Sequence, residues 1–139
     1  MEVTEVMPDL TPDQIRQSRD ALQDTVDQLN RLLMAKRREL SQDDIDKINE
    51  AVGSLLDAAD KLTAQAIKGT AEQIASSVQG IQDATNNANH ALKVLDNIRK
   101  GINIAAALVG LGTAILAGNP GGIITAATEV IGAARAVIT

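Results

Sequence analysis

The sequence predicts an all-α protein: an elongated antiparallel helical bundle of coiled-coil type that ends in an apolar helical hairpin. Apolar residues recur three and four apart through most of residues 11–100, the period of helices buried along one stripe. No aromatic residue occurs, so any core is built from aliphatic side chains. No charged side chain lies between Lys100 and Glu129, and that stretch is interrupted only by Gly118-Asn119-Pro120-Gly121-Gly122.

With 139 residues and no stretch that reads as a linker, the chain is bounded at one domain. Residues 1–10 read as a flexible lead, 11–100 as a heptad-bearing bundle and 101–139 as the hairpin. Formal charge is −5 with acidic and basic residues interspersed, so no cationic stripe tracks a phosphate backbone and nucleic acid is not an expected partner. The lack of cysteine excludes disulfides, thiol catalysis and thiolate zinc sites. Met1-Glu2-Val3-Thr4-Glu5-Val6 has neither a basic start nor an apolar core and is no secretory signal. The expectation is a soluble form that associates with membranes through the hairpin, exported, if at all, without a cleavable signal.

Thr11-Pro12-Asp13-Gln14 supplies an N-cap, a proline at the first helical position and a capping-box partner, so the first helix starts here. Ile15, Leu22 and Leu29, with Val26, Leu33 and Leu40 beside them, draw one apolar stripe down a helix ending near Arg38. Lys36, Arg37 and Arg38 suit a helix C-terminus, and anionic lipid headgroups are a second use for them. Ser41 with Asp43 and Asp44 caps a second helix, whose Ile45, Ile48, Val52, Leu55, Ala59, Leu62 and Ala66 form a strict heptad seam.

After Gly69 the register slips by one and resumes through Ile74, Val78, Ile81, Thr85, Ala88, Leu92 and Leu95. A glycine followed by the capping box Thr70-Ala71-Glu72-Gln73 makes this a hinge between two helices. Segments 12–39, 42–68 and 70–100 are then nearly equal, about 40 Å each by helical rise, which favours an antiparallel bundle. Gly80 and Asn86-Asn87-Ala88-Asn89 are poor helix formers and mark a bend. Gly101 is a second candidate hinge, where the third segment either stops or runs on into the hairpin as one long helix. The rod without the hairpin is expected to be soluble by itself.

Each hairpin arm reads as about 16 residues, or roughly 24 Å of helix, against a hydrocarbon layer of about 30 Å. Arms that short, with no Trp or Tyr at either interface, disfavour a permanent two-span anchor. On a helical wheel Ala106, Gly110 and Ala114 gather on one side of the first arm, opposite Ile104, Leu108, Leu111 and Ile115. In the second arm Thr128, Gly132 and Ala136 repeat this spacing, and Thr125, Glu129 and Arg135 join them on a polar half. Small residues four apart let backbones approach closely, so both triplets are expected at helix crossings in a membrane or in packing. Asn119, Pro120, Gly121 and Gly122 form the turn.

No catalytic constellation, cofactor motif or metal-ligand cluster is present. His90 is the only histidine, no nucleophile motif accompanies it, and the carboxylates follow the solvent faces of helices. Gly110-Leu111-Gly112 lacks the strand and the further residues of a phosphate loop. His90 reads as an ordinary polar helix residue, or else as a pH sensor near the hairpin junction.

Heptad helices followed by an apolar hairpin, with Ala105-Ala106-Ala107-Leu108-Val109-Gly110-Leu111-Gly112 and Gly118-Asn119-Pro120-Gly121-Gly122, resemble α-helical pore-forming toxins of the haemolysin E and haemolysin BL kind. Secreted translocator proteins are similar in outline. The resemblance implies a soluble form with the hairpin sheltered and a membrane form in which several copies assemble. Two functions therefore stand. One is a membrane-active, self-associating protein that inserts its hairpin. The other is a soluble coiled-coil assembly or scaffold module whose hairpin is core or subunit interface. Glu129 and Arg135 separate them, because a charge facing lipid near mid-depth costs about 2.5–3.5 kcal/mol, and six positions apart they cannot pair along one helix.

Overall fold

A computed structural model describes residues 12–68, 78–95 and 97–138. Helix α1 runs Pro12–Ala35, α2 Gln42–Lys68, α3 Val78–Lys93, α4 Ile98–Ala117 and α5 Pro120–Ile138, with one turn of 3-10 helix at Arg37–Glu39. The expected lead, residues 1–10, and the expected hinge at Gly69 lie outside the described residues. The first helix closes at Ala35, three residues before the expected end, because the 3-10 turn carries the chain round so that Leu40 is buried.

Capping explains where α2 begins. The Ser41 hydroxyl accepts from the Asp44 backbone N–H at 3.1 Å while the Asp44 carboxylate accepts from the Ser41 N–H at 3.3 Å, a reciprocal capping box. Leu22, Leu29, Ile48, Leu55, Leu62, Ile81, Ile104, Leu108, Leu111, Ile115 and Ile123 are fully buried, so the core is aliphatic throughout. In α2 the buried face is wider than the expected seam, since Ala51 and Ala58 are buried beside Ile48, Leu55, Ala59 and Leu62. The width follows from packing on two neighbours, α1 and α4.

Helix α1 lies between α2 and α3; α4 packs on α2, α5 on α3, and α4 and α5 on each other, so the five helices close a ring around one core. Three polar contacts join α2 to α4 at a constant separation of 55 residues: Asp44 with Arg99, Ser54 with Val109 and Lys61 with Leu116. A constant offset means that the two helices run parallel. The α4 arm of the hairpin thus lies beside a helix of its own direction.

Other expectations change here. Gly80 and the Asn86–Asn89 run lie inside α3 without ending it. The third segment does not continue into the hairpin: α3 closes at Lys93 and α4 begins at Ile98, where the Asn97 side chain accepts from the Arg99 N–H at 2.8 Å. Gly101 is therefore not the junction between the two helices. It is buried within α4, with Leu95 and Leu32 close enough that a Cβ would meet both near 3.0–3.1 Å. Residues 11–100 and the hairpin are packed together: the faces of α2 and α3 that hold Leu55, Leu62 and Ile81 share one core with Ile104, Leu108 and Ile123.

Candidate functional site

The hairpin begins with helices longer than expected. Helices of 20 and 19 residues correspond to about 30 and 28 Å of rise, close to the hydrocarbon thickness. Among the described residues α4 is the one helix long and apolar enough, by length and composition, to cross a membrane. Its first turn includes Arg99 and Lys100, which the expected arm left out.

The turn between the arms is tighter than Asn119–Gly122. Gly118 takes a left-handed backbone, φ 72°, and its N–H donates to the carbonyls of Ala114 and Ile115, closing α4. The Asn119 side chain then accepts from the N–H groups of Gly121 and Gly122 at 3.0 and 3.4 Å, and Pro120 takes the first helical position, where a missing N–H costs nothing. Gly121 and Gly122 are thus the first turn of α5, and the reversal itself falls on the left-handed Gly118 and on Asn119.

Bulky side chains of both arms point inward. Ile104, Leu108, Leu111 and Ile115 of α4 and Ile123 and Val130 of α5 are fully buried. Of the small triplets, Ala114 faces the other arm, its Cβ 3.9 Å from a Cβ built on Gly122, and the exposed members lie on the outward side. Ala106, Thr128, Gly132 and Ala136 are exposed, Gly110 and Ala114 are half-buried, and nothing lies within 4 Å of a Cβ built on Gly110 or Gly132. The close crossing is at Gly112, where a Cβ would collide with the Ser54 hydroxyl and come within 2.8 Å of the Ser54 carbonyl oxygen. At the same place the Ser54 hydroxyl donates to the Val109 carbonyl at 3.2 Å. The signal was a glycine on the bulky face, level with Leu108 and Ile115, where only close approach of a neighbour accounts for it.

Two further contacts fasten α4 to α2. Lys61 Nζ donates to the Leu116 carbonyl at 3.2 Å, satisfying an acceptor near the end of α4. Arg99 donates to both oxygens of Asp44, at 3.1 and 3.3 Å. Burial by itself raises the Asp44 carboxyl, but the hydrogen bonds from Arg99 and from the Ser41 backbone and hydroxyl outweigh it, leaving the pKa below the ordinary 3.8.

The outward side of the hairpin is polar only in part. Thr125, Thr128, Glu129 and Arg135 are exposed, as the wheel expects of this half, and the two threonine hydroxyls donate to Gly121 and Ile124 carbonyls one turn back. Leu116 and Ile124 are exposed too. His90 is exposed near the end of α3. Comparison with protein-family models, characterised proteins and solved structures finds no match to this chain.

Proposed function

We propose that this chain is a membrane-active, self-associating helical protein, and that the closed ring is the water-soluble form of a hairpin that enters lipid. One observation carries the reading: from Gly101 to Thr128 no face of the hairpin bears a charge, including the face turned to water. Burial explains that for the inward positions, Ile104, Leu108, Leu111, Ile115 and Ile123 among them. At Asn103, Ala106, Thr113, Ala117 and Thr125, all exposed, a Lys or Glu would cost nothing in the closed form. The outward positions of α1 and α2, among them Asp20, Asp24, Asp57 and Asp60, do carry charge. A segment neutral all round, with an uncharged tip, crosses hydrocarbon without a charge penalty until Glu129. Arg99, Lys100 and Arg135 sit near the base of the hairpin, away from the tip, where they would remain at the headgroups.

Glu129 is the obstacle, since it falls near the middle of α5. Facing lipid it costs about 2.5–3.5 kcal/mol, a cost removed where several hairpins line water together, as the resemblance to pore-forming toxins implies. A second reading, a soluble assembly module with the hairpin as permanent core, is favoured by the burial of Ile104, Leu108, Leu111, Ile115, Ile123 and Val130 and the ties from Asp44, Ser54 and Lys61.

Flotation and dye release with liposomes decide between them. The full chain is expected to float with vesicles and release trapped dye at neutral or acid pH. Glu129→Leu is expected to keep or strengthen attachment while altering ion passage. A full chain that ignores lipid at every pH leaves the assembly reading.

A further inference from the structure

We infer that, in water, the outward face of the hairpin is covered by a second copy of this chain, packed antiparallel about a two-fold axis at Gly132. The inference does not require entry into lipid. Its first support is charge geometry. Glu129 and Arg135 are both exposed on α5 and stand three residues before and three after Gly132, about 4.5 Å along the axis on either side. An antiparallel copy turned about Gly132 sets Glu129 level with the partner's Arg135, and symmetry makes the match twice. A parallel copy sets Glu129 level with the partner's Glu129 and Arg135 with the partner's Arg135. The spacing therefore selects one direction. Arg135 already interacts within its own chain, and a guanidinium with five donors serves a second acceptor as well.

The second support is room. Thr128 falls opposite the partner's Ala136 under this operation, and nothing within 4 Å overlies Gly132, so two α5 helices can approach closely there. Ala106, also exposed, is as far before Asn119 in sequence as Gly132 is after it, so it lies at the same level on α4 and leaves that helix a small residue where it meets its mate. The outward face of α4 and α5 is about 30 Å long and roughly 20 Å across. Two such faces bury on the order of 1,200 Å² in all, the low end for a specific dimer, which points to a weak, reversible one.

The absence of native cysteine makes the arrangement directly testable. Thr128→Cys and Ala136→Cys chains, each folded as judged by circular dichroism, are oxidised separately and as a mixture. The antiparallel pair yields a linked dimer mainly in the mixture, between unlike chains; linkage of each variant to itself, or of neither, overturns the inference. Light scattering at tens of micromolar supplies the second arm. An exposed ion pair is worth up to about fivefold in affinity and this one occurs twice, so Glu129→Lys and Arg135→Glu are each expected to weaken the dimer about tenfold or more, and the double variant to restore it. A double variant no better than the singles overturns the charge pairing. Wild-type chain that stays monomeric in water yet floats with vesicles overturns the dimer and leaves the face to lipid.

Discussion

Gly112 and Ser54 set the spacing of α2 and α4 side chain by side chain. A methyl group at Gly112 meets the Ser54 carbonyl oxygen at 2.8 Å, so Gly112→Ala is expected to lower stability by about 1–3 kcal/mol through overpacking. Gly110 and Gly132 have open space around a Cβ, and alanine there is expected to raise helix stability by about 0.5–1 kcal/mol. Thermal melts of the three variants give opposite signs if this placement is right. Asp44 is the other decisive residue. Its carboxyl lies below its unfolded value of 3.8, so its contribution to stability is fully present above that value and is lost as pH falls through the folded one. The melting temperature difference between wild type and Asp44→Asn is therefore expected to hold steady from neutral pH to about pH 5 and to shrink below about pH 4.

Among the elements, the hairpin turn depends on two caps. Gly118→Ala forces a side chain into a left-handed backbone at φ 72°, expected to cost about 1–2 kcal/mol, and Asn119→Ala leaves the Gly121 and Gly122 N–H groups without their acceptor, expected to cost about 1 kcal/mol. Calorimetry or chemical denaturation of each variant checks both. Helices α1, α2 and the two hairpin arms were legible from Thr11-Pro12 and Ser41 with Asp44 at the starts, three-and-four spacing between and Gly-Asn-Pro at the reversal, whereas the break between α3 and α4 at residues 94–97 has no proline or glycine to mark it. Their partners were not, since which helix lies beside which depends on contacts 55 residues apart. For the same reason the spacing around Gly110 and Gly132 leaves open whether a close crossing lies within the chain or between copies. Spacing shows that a face permits close approach, and only the bulky face shows which side the core occupies. Gly121 and Gly122 were assigned to the turn by composition, although an N-cap asparagine and a first-position proline draw them into α5.

At the scale of the whole molecule, the hairpin is part of the core and not an appendage. Ile104, Leu108, Leu111, Ile115 and Ile123 fill the ring that α1, α2 and α3 leave open, so a chain ending at Lys100 is expected to aggregate or lose helical signal where the full chain is soluble. On the proposed function sheltering and release would be one equilibrium: a hairpin that left for lipid would take two of the ring's five helices with it, and the cost of opening would fall on the seams between α2 and α4 and between α3 and α5. If the hairpin is released, holding one seam shut would prevent it without touching the outward face.

The α3–α5 seam offers the means, because a Cβ on Gly80 lies 3.6 Å from the Ala127 Cβ, inside the range a disulfide spans. The measurement is dye release and flotation by the full chain carrying Gly80→Cys and Ala127→Cys, compared oxidised and reduced. A hairpin that must leave the ring makes the oxidised protein inert toward vesicles and restores activity on reduction. Equal activity in both states would contradict release, and inactivity in both, with the wild type inert as well, would contradict membrane entry itself.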